Sequence, residues 1–214
     1  MRIEEAQVVA DWVRDLALPA GSVCLNIGSS TEAFRRSMQP HVGLLFDQLQ
    51  EAGLRIVHCD MKRADGVDEV GDVLDPAFQD RLRRYDADLL ICSNLLEHLV
   101  DPAPFAEACA SLVKPGGWAL VTVPYSYPYH ADPIDTMFRP SPEELVRLFR
   151  GWEIERGQIL DCGHFRPGRQ ALINHLGRVA MPFYRRDRWW PMAHRLLWLF
   201  RRYRQTVLLA RKPA

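Results

Sequence analysis

The stretch Ser22–Phe34, SVCLNIGSSTEAF, sets the architecture of this chain. A short apolar run ends at Gly28, and small polar residues follow before a helical pattern begins. A buried strand that turns tightly into a helix reads this way, and α/β proteins place a nucleotide at such turns. Two positions are unusual. Asn26 stands where an acid is expected and Ser30 where a second glycine is expected.

Outward from this turn, apolar runs alternate with helical spacing. Ile3, Ala6, Val9, Ala10, Val13, Leu16 and Ala17 share one helix face, so residues 1–20 read as an N-terminal helix. Thr31–Met38 and Val42–Ala52 read as helices broken by Pro40. GLRIVHCD (53–60) and GVDEVGD (66–72) read as the second and third strands, and Asp75-Pro76 opens a helix. DADLLICSN (86–94) is the fourth strand. DPAPFAEACASLV (101–113) is a helix closed by Lys114–Gly117, and WALVTVP (118–124) is the fifth strand. Ser141-Pro-Glu-Glu144 caps a further helix; WEIERGQIL (152–160) and RQTVLLARK (204–212) are the sixth and seventh strands. The alternation specifies an α/β fold, a doubly wound and mostly parallel sheet. We expect one domain over residues 1–214, with a helical insertion at 161–203. Ligands of such sheets lie at the carboxyl ends of the strands, where Gly28, Asp60, Asp72 and Ser93-Asn94 fall.

Composition sets further bounds. The 214 residues are 48% hydrophobic and 25% charged, ordinary values for a globular chain. Net charge is zero, but from Met181 onward nine Lys/Arg face one acid, so that end carries +8 and residues 1–180 carry −8. Five scattered cysteines without CxxC spacing read as buried, reduced thiols. With no secretory core and no apolar run long enough to cross a bilayer, a cytoplasmic protein is expected.

Two segments, DLLICSNLLEHLVDP (88–102) and LVKPGGWALVTVP (112–124), together with the Gly28 turn resemble the class I S-adenosylmethionine-dependent methyltransferases of the type 11 kind. The resemblance spans about residues 20–160, with 206–212 as closing strand. It implies a Rossmann-like sheet of seven strands, the last antiparallel, and S-adenosylmethionine as cofactor. Carried onto these positions, it puts Asn26, Gly28, Ser29, Ser30 and Thr31 around the methionine part. Hydroxyls and amide N–H groups there would meet its carboxylate. Asp60 with Met61 falls to the ribose, Asp72 with Val73 to adenine, and Ser93 and Asn94 to the adenosyl and methionine groups. Asn26 brings no charge to the cofactor's ammonium, a loss of roughly 1–2 kcal/mol.

Some relatives that methylate small RNAs or quinone precursors hold a divalent metal with Glu-x-x-Glu-His at 94–98. Asn94 replaces the first carboxylate, His130 is distant in sequence from Glu97 and His98, and no metal is expected. His98 is read as packing beneath the cofactor loop.

The segment VPYSYPYHADPIDTMFRPSPEEL (123–145) leaves the ligand side of the fifth strand with three tyrosines in its first turns. It reads either as a substrate wall, with His130 beside Asp132 as general base, or as a structural loop. Its resemblance to methyltransferase-like proteins of surface-polysaccharide pathways suggests a sugar or small-molecule acceptor. O-methylation is therefore the expected reaction. The alternatives are a non-catalytic interaction protein of the same fold, and an enzyme at the inner membrane face acting on a lipid-linked acceptor. For the latter, the Arg- and Trp-rich stretch 185–203 would make the membrane-surface contact. That stretch reads equally as core packing or a homodimer contact. The acidic body and the lack of a base-reading module exclude nucleic acid as the expected partner.

Overall fold

Strands buried on both faces read as near-continuous apolar runs, and β1 (Val23–Ile27) is one apart from the buried Asn26. In the computed structural model, which describes residues 1–130, 134–164, 169–180, 189, 193–194 and 196–214, the two faces of the sheet feed two cores. Leu25 and Ile27 of β1, Leu90 and Cys92 of β4 (Ala87–Ser93), and Val121 and Val123 of β5 (Val113–Ser126) point one way. There they meet Phe78 and Leu82 of α3 (Pro76–Arg83), Phe105 and Leu112 of α4 (Pro102–Leu112) and Leu145 of α5 (Pro142–Leu145). Cys24, Leu89, Ile91 and Leu120 point the other way, against α1 (Ile3–Asp15) and α2 (Pro40–Glu51).

The remaining strands are β2 (Arg55–Asp60), β3 (Glu69–Val70), β6 (Glu153–His164) and β7 (Arg202–Arg211), and α6 spans Arg169–Val179. The sheet order is β3-β2-β1-β4-β5-β7-β6. β1 to β5 pair in parallel, and β7 runs antiparallel between β5 and β6. Strand order reverses beside β1, so the crevice at the carboxyl ends of β1 and β4 is the switch point.

Several local expectations change. Pro40 does not break a helix; it opens α2 at the first helical position, where its missing N–H costs nothing. The residues before it form a π-helical turn, Phe34–Met38. The third strand shrinks to two residues, and Lys114–Gly117 lies within β5 rather than closing α4. Ile3, expected on the buried face of α1, is 63% exposed, and Glu5 is buried instead. Asp75 caps α3 as the Asp75-Pro76 pair implies, accepting from Ala77 N. All five cysteines are free and buried.

Gly71, between β3 and α3, admits no side chain: a Cβ there would lie 2.5–2.8 Å from three ring carbons of Phe78. Phe78 is fully buried and cannot swing away. Gly71→Ala is expected to destabilise the fold by about 1–3 kcal/mol in urea unfolding, the usual cost of overpacking. Of the Arg- and Trp-rich stretch, residues 185–188, 190–192 and 195 lie outside the described residues. No helix among the described residues is long and apolar enough to cross a membrane.

Candidate functional site

The tight turn after β1 is built by three carbonyl and carboxylate anchors. Gly28 takes φ +72°, a left-handed conformation that glycine adopts without strain. Its N–H and that of Ser29 both donate to Cys59 O at the end of β2, 2.9 and 3.0 Å away. Ser30, also left-handed at φ +55°, donates its N–H to Asp60 Oδ2 (2.8 Å), and Asp60 Oδ1 accepts from Lys62 N (3.0 Å). Thr31 Oγ1 accepts from Phe34 N and starts the π-helical turn.

The amides of Ser29 and Ser30 are therefore spent inside the protein, which corrects the expectation that they meet a ligand carboxylate. The reason for Gly28 also becomes specific. A Cβ there would lie 2.8 Å from Leu95 Cδ2, so Leu95, two residues past the β4 end, packs directly against the turn.

Around this turn lies a cavity of about 430 Å3 at the strand ends, within the usual size range for small-molecule sites. Of the expected ligand residues, Asn26, Gly28, Ser29, Ser30, Ser93, Asn94 and His130 line it. Thr31, Asp60, Met61, Asp72 and Val73 do not. Asp72 Oδ1 accepts from Leu74 N, and Val73 is buried in the core. Ser93 Oγ and Gln205 Oε1, which belong to residues lining the cavity, are buried without a partner in the protein. A ligand with polar edges would satisfy them. A second cavity of about 510 Å3, between α1 and α2, holds none of the expected residues.

Asn26 has a structural reason. It sits opposite His58 in the β1–β2 register and donates an amide proton to His58 Nδ1 at 2.9 Å. Burial, with Arg35 nearby, pushes the His58 pKa down to about 4, so the ring is neutral and accepts.

The far wall of the cavity comes from the loop after β5. His130 lines it, and the carboxylate it meets among the described residues is that of Asp135; Asp132, the expected partner, lies outside the described residues. His130 N donates to Asp135 Oδ2 (3.0 Å), and its Nδ1 lies 3.3 Å from both that oxygen and Pro128 O. Arg139 Nη2 also donates to Asp135 Oδ2, at 2.7 Å. Burial lowers the His130 pKa, against the pull of Asp135. With Nδ1–H directed at Pro128 O, Nε2 keeps its lone pair.

His98 lines the cavity rather than packing beneath the turn. It sets its Nδ1 against Ile134 O (2.5 Å) and its ring edge-on to His130, with centroids 5.2 Å apart. Thr136 donates from both N and Oγ1 to Glu97 O, tying the loop to the turn Leu96–His98. Donor atoms of Glu97, His98 and His130 come within 4.8 Å of one another, close enough to share a cation, although 32 residues separate the two histidines. Both oxygens of Glu97 are buried without a hydrogen-bond partner, and burial pushes its carboxyl up to about 7.

Two polar contributors carry no sequence signal. Glu5 reaches from α1 to accept from Asn94 Nδ2 (2.7 Å) and Thr122 Oγ1 (2.6 Å). Arg35 reaches beneath the turn. Only the facing of even β5 positions toward α1 would have pointed to Glu5.

A family model described as "Methyltransferase domain" matches residues 1–170. A ubiquinone biosynthesis O-methyltransferase of Albidiferax ferrireducens is 58% identical over 31 residues, 14% of this chain and 12% of that protein. One of Paraburkholderia phytofirmans is 31% identical over 110 residues, 50% of this chain and 46% of that protein. The matched stretches thus span less than half the length of these relatives. In fold, the chain is similar to the MccD protein, with TM-score 0.57 at 11% identity over 95% of this chain and 96% of that one.

Proposed function

The chain belongs to the class I S-adenosylmethionine-dependent methyltransferases, and on that premise we propose that it transfers a methyl group to an oxygen of a small-molecule or sugar acceptor. The observation that carries this reading is the cavity itself. The Gly28 turn and the Ser93-Asn94 strand end form one side, and His98, Tyr127 and His130 form the other. When bound, S-adenosylmethionine supplies an electrophilic methyl on a sulfonium that departs as a neutral thioether. In this reading Gly28 and the Ser29 and Ser30 hydroxyls border its methionine end. Asp60 stands at the end of β2 beside the turn, outside the cavity lining; each of its oxygens holds one backbone N–H and keeps a lone pair for a ribose hydroxyl that reaches past the turn. His130 Nε2 takes the acceptor's hydroxyl proton while Asp135 and Pro128 hold the ring still. The cavity walls align the acceptor and exclude water, which is most of what transfer to a good nucleophile needs. Residues 1–214 act as one domain.

Titration calorimetry with S-adenosylhomocysteine tests this. The wild-type protein is expected to bind, and Asp60→Ala to lose roughly 1–3 kcal/mol, the range for an unpaired polar partner. No binding by the wild type removes the cofactor assignment; equal affinity in both removes Asp60. With methyl-labelled S-adenosylmethionine, labelling of catechols or monosaccharides is expected, and labelling of amines alone overturns the oxygen reading.

A further inference from the structure

Arg35 sits on the π-helical turn and is only 5% exposed. Its Nη1 donates to Ser29 O (2.9 Å) and Ser30 O (2.7 Å), and its Nη2 to Gly66 O (2.5 Å). A buried guanidinium thus spends its donors on three backbone carbonyls, two of them consecutive in the turn that borders the cavity. Opposite it, Asp60 Oδ2 holds the N–H of Ser30. The Ser30 residue is gripped at both ends, by a carboxylate at its N–H and a guanidinium at its C=O. Ser30 needs such a grip. It holds φ +55°, a left-handed conformation that is strained for a non-glycine residue and persists only when its surroundings impose it.

The loop on the other side is shaped to the same side chain. Gly66 has φ +75°, and a Cβ there would lie 2.7 Å from Arg35 Nη2 and 2.6 Å from Glu32 Cβ. The π-helical register accounts for the placement: the wider turn delivers position 35 under the loop rather than into solvent, where Arg36 goes to pair with Asp47.

We propose that Arg35 is a positioning residue for the cofactor turn. Together with Asp60 it holds Ser30 in the left-handed conformation that a glycine would adopt unaided. The proposal rests on the reading of this cavity as the S-adenosylmethionine site. Arg35 touches no ligand; it acts through the Ser29-Ser30 carbonyls.

The test is calorimetric titration with S-adenosylhomocysteine, with thermal unfolding measured on the same samples. Arg35→Met is expected to weaken binding about tenfold or more, and Arg35→Lys, which keeps a charge and fewer donors, by less. Because Arg35→Met removes a buried charge's anchorage and is at risk of not folding, the deciding variants are Arg35→Lys with and without Ser30→Gly. If the clamp exists to hold Ser30, glycine at that position makes it dispensable, and the affinity deficit of Arg35→Lys is expected to shrink to less than threefold. A deficit of the same size in both backgrounds overturns the proposal. So does a lowered melting temperature with unchanged affinity of the folded protein, which would make Arg35 a structural residue only. A wild type that fails to bind S-adenosylhomocysteine overturns the cofactor reading, and this role with it, whereas failure of the rescue leaves that reading standing.

Discussion

Gly28→Ala is expected to lower stability by about 2–4 kcal/mol and to weaken S-adenosylhomocysteine binding at least tenfold. Two costs add. A left-handed φ of +72° penalises any Cβ by about 1–2 kcal/mol. The new Cβ would also start 2.8 Å from Leu95 Cδ2, and Leu95 packs against the core that β1 and β4 share, so it yields only by disturbing that packing. Relief of the clash moves the turn or the β4 end, and both border the cavity. Urea unfolding gives the stability term and calorimetry the affinity. A loss below about 0.5 kcal/mol with unchanged affinity would show that the turn tolerates a side chain and is not the sterically defined element described above.

The second large effect is electrostatic. Glu97 has a folded-state pKa near 7, raised first by burial, then by Glu5 and Asp135, against the opposing pull of Arg139. Its unfolded value is about 4.5. Between those values the unfolded chain binds fewer protons at this site than the folded chain does. Stability is therefore highest below about pH 4.5, where both states are protonated, and falls as the pH rises through 7. The full loss is about 3 kcal/mol. Glu97→Gln keeps the shape and removes the charge. It is expected to stabilise the protein by about 2–3 kcal/mol at pH 8, or roughly 5–10 °C in Tm, with little change at pH 5. Melting curves from pH 5 to 8 in both proteins check this. A variant that melts lower than wild type at pH 8 would mean that the ionised carboxylate has a partner that stabilises it. The cost is incurred at the edge of the cavity, beside His98 and His130.

How far these features could be read beforehand differs by residue. Gly28 was legible, because an apolar run ending in glycine before small polar residues has few other uses. So were β4 and β5, whose unbroken apolar stretches need burial on both faces. The antiparallel seventh strand came from the resemblance, since nothing in RQTVLLARK distinguishes direction. Glu97 was visible as an acid after a strand end, but not its burial: an acid between Leu96 and His98 does not announce that both its oxygens lack a hydrogen-bond partner. His130 was legible as a candidate, but its contact with Asp135 was not. Asp135 stands five positions on, and Arg139 and Met137 N close on it and hold its carboxylate where His130 meets it. Arg35 gave no signal, because FRRS looks like an exposed helix until the π-helical turn separates Arg35 from Arg36.

Sequence alone determined the alternation of strands and helices, the two-sided burial of the sheet and the bend at Gly28. Each is encoded by neighbours within a few positions: apolar continuity, capping residues, a residue free to take positive φ. Tertiary structure alone decided which polar groups meet. Glu5 finds Thr122 across 117 positions and Arg35 finds Gly66 across 31, and these meetings depend on strand order and register. Burial is a property of one residue's pattern and can be read locally. A hydrogen bond is a property of a pair, and the pair exists only once the sheet has brought its two halves together.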